Sequence, residues 1–289
     1  MEKKLSPPVL ENEERSLTFA SEGFIVLKNF LTKEEVSLVS KEVECVLASC
    51  RESACVRPNN TLLPLRWNDI LVELLLKFDK RIQMLKKAVA AKDLKWVSGY
   101  VSTKDAFSPA LWWHQDWWCW QHDISIKRTT AQIAVMCYLT PTSKQNGALR
   151  VLPGSHHRST GLHAFLPEAH ATAANQIQQE HPAMSDYPGQ ITLNLNAGDA
   201  VAIDYRLLHG THGNASAIRR DCVMLTFAPS WQDLPADIKG HLIDHYALPF
   251  IDELPVQTPY PKDLLPTFYG IRKDLELNRM APSEFECTE

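Results

Sequence analysis

Between about residue 94 and residue 230 the chain is written in short apolar runs that end in turn signals, and this pattern restricts the fold more than any other feature. LKWVSGYV, TTAQIAVMCYLT, ALRVLPGS, GQITLNLNAGDAVAIDYRLLHG and RRDCVMLTFAP are β-branched or alternating, and Asn146-Gly147, Pro153-Gly154, Pro188-Gly189 and Gly198-Asp199 punctuate them. Many short strands at such spacing build a sandwich or a double-sheet jelly roll, not a parallel α/β sheet. Ahead of them GFIVLKNF (Gly23–Phe30) reads as a strand. It runs into LTKEEVSLVSKEVECVLASC, where Thr32 can cap a helix while Glu35 reaches back, and Val36, Val39, Val43 and Val46 recur on one helical face. A second helical zone covers roughly 68–91 through Ile70, Leu74, Leu75, Phe78, Ile82, Leu85 and Val89. The pattern predicts a mainly β chain with flanking helices, a single domain over 1–289. Its parts would be a loose polar arm at 1–16, a jelly-roll core at 94–230, a lid within 160–190 and a proline-rich wrap over 231–289.

Charge and cysteines narrow the class. The formal net charge of −4 gives no electrostatic reason for nucleic acid or an anionic membrane as partner. The apolar runs fall well short of the roughly 18 residues that span a bilayer, and MEKKLSPPVLENEERS has no apolar stretch behind its charges, so no signal peptide is expected. Seven cysteines, an odd number with no CxxC pair, read as reduced and mostly buried thiols of a cytoplasmic protein. Cys45, Cys50 and Cys55 are evenly spaced but lack histidines at finger spacing, which argues against zinc there. A small-molecule ligand is the expected partner, and no feature fixes an oligomeric state.

The stretch LWWHQDWWCWQHD, Leu111–Asp123, sets His114 and Asp116 two positions apart among five tryptophans. On a strand the two side chains share a face, which suits either a common metal ion or a buried hydrogen-bonded pair. The second half of the pattern lies downstream, in GDAVAIDYRLLHGTHGNASAIRRDCVMLTF. Read as extended chain, Val201, Ile203, Tyr205, Leu207 and His209 share a face, with Asp204 and Arg206 opposite. His114, Asp116 and His209 would then supply the two histidines and one carboxylate of a non-haem Fe(II) oxygenase. His212, three residues on in HGTH, is the competing ligand but would face away from His209. Such iron needs a two-electron reductant, in many enzymes 2-oxoglutarate, whose distal carboxylate calls for a cation. Arg219 and Arg220 open the next strand, and arginine pairs bidentately with carboxylates. The strand alone does not say which of its faces is inside. Trp112 and Trp118 share the His114 face, while Trp113 and Trp117 point to a core. At least one of Trp112, Trp118 and Trp120 is expected to line a substrate pocket. Gln132 is a candidate polar handle for cosubstrate or substrate. His156 and His157 read as loop histidines, Arg219 as a surface or supporting contact, and Asn214 as the residue that fixes the turn after His209.

WHQD, NGALRVLPGSH and GDAVAIDYRLLHGTHGN followed by RR, with the opening GFIVLKNFLTKEEVSLV, resemble the phytanoyl-CoA dioxygenase family. The likeness covers roughly residues 18–230. It implies a double-stranded β-helix (a jelly roll of cupin-like form) and an Fe(II)- and 2-oxoglutarate-dependent oxygenase that uses O2. His114, Asp116 and His209 would hold iron. The family's cosubstrate arginine follows the distal histidine by eleven residues, which selects Arg220 over Arg219. Thr211 falls where the family often has a serine near the cosubstrate. Asp116 is present, so oxygen transfer is expected and not halogenation. The substrate would be a small metabolite oxidised by hydrogen abstraction, with succinate and CO2 as coproducts. Two rivals remain open: a cupin-like metal-dependent isomerase or lyase without 2-oxoglutarate, and a non-catalytic ligand-binding protein of the same fold.

Overall fold

The computed structural model describes residues 12–49, 60–169, 177–178, 180–250, 258–271 and 275–288. In chain order the regular elements are α1 (Asn12–Glu22), β1 (Phe24–Leu27), α2 (Lys33–Ser49), β2 (Thr61–Leu65), α3 (Ile70–Leu76), α4 (Asp79–Ala88), β3 (Lys95–Lys104), β4 (Leu111–His114), β5 (Ile133–Tyr138), β6 (Leu149–Val151), β7 (Ile191–Thr192), β8 (Ala200–Asp204), β9 (His209–Thr211), β10 (Arg220–Ala228) and α5 (Ala236–Ile243). Ten strands form two antiparallel sheets, one in the order β1-β8-β5-β10-β3-β2 and one in the order β4-β9-β6-β7. This is the expected jelly-roll arrangement of two facing sheets.

Alternation along the central strands creates two cores. On β5, Ile133, Val135 and Cys137 turn out beneath the helices, where they meet Val39 and Val43 of α2 and Leu71 and Leu75 of α3. Ala134, Met136 and Tyr138 turn inward between the sheets and meet Leu149, Val151, Val201 and Ile203. β10 follows the same rule. Val223, Leu225 and Phe227 face the helices and Cys222 faces the interior, so Arg220, two residues before Cys222, is an interior side chain.

The helix cap read from the sequence forms as a reciprocal pair. Glu35 N donates to Thr32 Oγ1 at 3.2 Å and Thr32 N donates to Glu35 Oε2 at 2.8 Å. The second helical zone is broken in two at Lys77-Phe78, and buried Arg81 explains how the break is tolerated. Its guanidinium donates to the carbonyls of Leu74 and Leu75 at 3.0 and 2.8 Å, which satisfies the open end of α3, and to Glu35 Oε1 at 2.5 Å.

Three further departures have local causes. Residues 12–16, expected in the loose arm, are the first turns of α1, which Phe19 anchors at 3% exposure. The rest of that arm, 1–11, lies outside the described residues. β2, for which the sequence reading names no element, contains Pro64 and is a sheet edge, where a proline is tolerated. Finally, the run through Tyr205 to His209 is not one strand. β8 ends at Asp204, the chain turns, and β9 belongs to the other sheet.

That corner is built on a buried ion pair. Asp204 and Arg206 are 1% and 2% exposed, and Asp204 Oδ1 accepts from both the N–H and Nε of Arg206, at 2.8 and 3.1 Å. Arg206 also donates to the carbonyls of Lys127 and Thr129, at 2.5 and 3.2 Å. Among the described residues, no helix is long and apolar enough to cross a membrane.

Asp204→Ala leaves a guanidinium buried without its counter-charge and should cost about 3–5 kcal/mol in urea unfolding. The same pair makes stability sensitive to acid. Burial works to raise the Asp204 carboxyl, but the charge and hydrogen bonds of Arg206 override it and hold the group down at about 2. A carboxyl lowered from its unfolded value of about 3.9 contributes fully above that pH and loses the contribution as pH falls through its folded value. The wild-type urea midpoint should therefore fall between about pH 4 and pH 2, and the Asp204→Ala midpoint should change less over that window.

Candidate metal centre

β4 and β9 are neighbours, and their register sets His114 opposite His209. Close approach of the two strands requires Gly210, because a Cβ there would lie 2.8 Å from the carbonyl oxygens of both Leu111 and Trp112. The imidazoles end with centroids 4.2 Å apart. Asp116 follows β4, and its carboxylate bridges them, with Oδ1 3.6 Å from His114 Nε2 and Oδ2 3.6 Å from His209 Nε2. One donor atom from each of the three falls within 4.8 Å of the others, and no other such trio of His, Cys, Asp or Glu occurs among the described residues.

The nitrogens away from this centre are committed to the backbone. His114 Nδ1 lies 2.9 Å from Trp112 O and His209 Nδ1 lies 3.0 Å from Leu207 O. A carbonyl accepts only, so each Nδ1 carries the hydrogen and each Nε2 presents a lone pair, the arrangement that orients metal-binding histidines. Asp116 is pinned from both sides by the corner after β8. Gln115 Nε2 donates to Arg206 O at 2.5 Å, and Trp117 N donates to Tyr205 O at 2.9 Å. The donor set, two imidazoles and a carboxylate at the edge of a cavity, fits a ferrous ion with positions left open.

Two cavities meet at the centre, and Leu62, Asp116 and Met224 line both. The smaller, about 90 Å³, contains His114, His209, Thr211, Tyr138 and Arg220. Arg220 is 3% exposed and donates through Nη1 to Gly147 O at 3.2 Å, while its Nε has no partner. Thr211 Oγ1, also buried, has none either. An unsatisfied guanidinium nitrogen beside an unsatisfied hydroxyl is costly unless an acceptor joins them, and the distal carboxylate of 2-oxoglutarate is such an acceptor. Behind them, burial and the charges of Arg220 and Arg150 hold the Lys104 amine down at about 7. Burial pushes the Cys222 thiol up to about 12, so it stays neutral beside the metal ligands.

The larger cavity, about 240 Å³, is lined by Asp116, Trp118, Gln132, Tyr205, His241, His245 and Arg279 among others. Trp118 Nε1 donates to Gln132 Oε1 at 2.9 Å, which leaves the Gln132 amide nitrogen for a ligand. Gln132 thus lies on this side and not in the smaller cavity. The tryptophans divide. Trp118 lines the larger cavity, and Trp112 lines the smaller one. Trp120 lines neither, because its ring packs on Phe285 at 5.1 Å.

The remaining candidates serve other ends. His212 turns to Thr192, with Nε2 2.8 Å from its hydroxyl. His156 is 1% exposed and stacks on His157. Arg219 pairs with Glu44 and, at 2.6 Å, with Asp221. Asn214 donates to Lys104 O and Ile218 O and accepts from Ser216, so it does fix the turn. Within 160–190, residues 170–176 and 179 lie outside the described residues, and no described residue of that stretch lines either cavity. Instead Arg150 holds Met184 O and Ser185 O against the β4 side, at 3.0 and 2.8 Å. His241, His245 and Arg279 were not anticipated. His241 and His245 stand four apart on and just after α5, a spacing visible in the sequence, but Arg279 carries no local signal.

Known proteins resemble this chain in sequence and in fold. The chain is 24% identical over 284 residues to a protein of Stutzerimonas stutzeri named as a probable alpha-ketoglutarate-dependent hypophosphite dioxygenase, covering 90% of this chain and 94% of that one. It is 23% identical over 261 residues to the ectoine dioxygenase of Nocardia farcinica, covering 82% of each. Among solved structures, EctD from S. alaskensis with 2-oxoglutarate and 5-hydroxyectoine superposes with a TM-score of 0.54 at 16% identity, covering 78% of both chains. HygX from Streptomyces hygroscopicus with nickel and 2-oxoglutarate gives 0.55 at 18% identity, over 77% of this chain and 88% of that one. The fold is the double-stranded β-helix of such enzymes. The sequence model of phytanoyl-CoA dioxygenase matches residues 19–222, and the chain belongs to that family.

Proposed function

We propose that this protein is an Fe(II)- and 2-oxoglutarate-dependent oxygenase that converts a C–H bond of a small metabolite to C–OH, while 2-oxoglutarate and O2 become succinate and CO2. The observation that carries this reading is the pair of unpartnered donors, Arg220 Nε and Thr211 Oγ1, in one cavity with His114 and His209. A metal-dependent isomerase or lyase has no use for a buried carboxylate receptor there, and a non-catalytic descendant has no use for three aimed ligands. The iron would supply oxygen activation.

Each protein group has a definable part. Nε2 of His114 and His209 and the Asp116 carboxylate hold the ion, and the Trp112 and Leu207 carbonyls keep both rings in register. Arg220 and Thr211 orient 2-oxoglutarate through its far carboxylate. Trp118, Tyr205 and the surrounding apolar wall exclude water from the substrate side. The buried unpaired thiols Cys119, Cys137, Cys222 and Cys287 suit a reducing compartment, and we place the protein in the cytoplasm.

His114→Ala, Asp116→Ala and His209→Ala should each abolish Fe(II)-dependent succinate formation and the rise in thermal midpoint that added metal gives wild type. Turnover near the wild-type rate in any of them would rule out this metal site. Arg220→Gln should weaken 2-oxoglutarate on the order of a hundredfold, read as KM for 2-oxoglutarate or as loss of the visible charge-transfer band of the anaerobic Fe(II) chelate. Arg219→Gln should leave both readings unchanged.

A further inference from the structure

We propose that the substrate carries an oxyanion, a carboxylate or a phosphorus oxyacid, and that Arg279 receives it while the bond to be oxidised lies toward Asp116. This assignment rests on the oxygenase reading above and names the substrate class of that same site.

The larger cavity is lined by two fixed charges. Asp116 belongs to the proposed metal centre, whereas Arg279 is the one fixed cation in the lining, and both charges act on Tyr205. No acidic side chain among the described residues pairs with Arg279, unlike the buried Arg206, which pairs with Asp204. Its charge is nevertheless felt inside the cavity, because it acts on both Tyr205 and His241. A half-buried guanidinium without a counter-ion, facing an enclosed space, selects for an anion that can accept two parallel hydrogen bonds.

Arg279 is also held in place. Asn278 N donates to Trp118 O at 2.9 Å and Trp120 N donates to Asn278 O at 3.0 Å, so the preceding residue is stitched to the stretch that leads away from Asp116. On the other side, Asn278 Oδ1 accepts from Met280 N at 2.9 Å and closes a side-chain turn around Arg279. The backbone that carries Arg279 is therefore fixed before a ligand arrives, which lowers part of the ordering cost of binding.

The neighbouring groups add donors but no second fixed charge. Burial lowers His241, with the Arg279 charge adding to it, and its ring lies 4.3 Å from Trp118. Burial holds His245 down at about 4, and its Nδ1 accepts from Ala247 N, so its other nitrogen carries the hydrogen. With the Gln132 amide, these are neutral hydrogen-bonding groups around one cation. The volume of about 240 Å³ lies below the roughly 300–1,000 Å³ of drug-sized pockets and matches a compact acid.

The test is an anaerobic titration of the Fe(II)–2-oxoglutarate holoprotein with small acids, reading the displacement of the chelate's visible band. The probes begin with L-proline, ectoine and hypophosphite, extend to other small carboxylates and phosphorus oxyacids, and include L-proline methyl ester as the control without the charge. We expect an acid to shift the band and its ester not to. Arg279→Gln should weaken that acid on the order of tenfold to a hundredfold while leaving the 2-oxoglutarate band intact, and Arg279→Lys should fall between. A response confined to the carboxylates or to the phosphorus oxyacids assigns the anion. A band that no acid perturbs, an ester that binds as well as its acid, or an Arg279→Gln protein that binds acids like wild type would each overturn the assignment. Failure of the band to form at all would overturn the oxygenase reading, and this assignment with it.

Discussion

The corner between β8 and β9 is the feature on which the rest of the structure depends. In four residues the chain leaves the six-stranded sheet and enters the four-stranded one, and the Asp204–Arg206 pair makes that passage possible inside the protein. The corner delivers His209 opposite His114 and offers Leu207 O to orient the His209 ring. Its Tyr205 and Arg206 carbonyls grip the residues on both sides of Asp116. One buried ion pair thus fixes two of the three ligands by short covalent and hydrogen-bonded paths. Replacing such a pair with apolar residues is often neutral for stability, but apolar residues could not hold the carbonyls of 127 and 129 as Arg206 does.

Electrostatically the two cavities share one carboxylate and hold one arginine each. Arg220 lines the smaller cavity, Arg279 the larger, and Asp116 both. Groups that could blur the pattern are kept neutral by burial: the Cys222 thiol is pushed up, and the His241 and His245 imidazoles are pushed down. The two arginines line different cavities, so two anions need not share a receptor. In a low-dielectric interior that separation matters, since like charges crowded into one cavity would repel strongly.

Much of this was legible in the sequence, and the boundary of legibility follows chain distance. The β grammar, the Thr32/Glu35 cap and the His114/Asp116 pair are written within a few residues, so periodicity and spacing find them. Arg220 needed the face of β10, which the neighbours Cys222 and Val223 decide only once the sheet has helices on one side. The extended reading through Tyr205 to His209 failed because alternation cannot see a buried ion pair turning the chain. β2 went unread, and its Pro64 is tolerated because the strand is a sheet edge. Arg279 pairs its neighbours with Trp118 and Trp120, about 160 residues away in sequence, and no local rule reaches that far.

The stitching of residue 278 onto the strand exit separates the demands on two parts of the chain. The family's sequence model ends at residue 222, and His114, Asp116, His209, Thr211 and Arg220 all precede that limit. His241, His245 and Arg279 follow it, and the last of these sits on chain docked through backbone hydrogen bonds at 118 and 120. Backbone contacts tolerate side-chain replacement. Side chains of the downstream segment can therefore change without breaking the hydrogen bonds that dock it: a fixed engine with an exchangeable mouth.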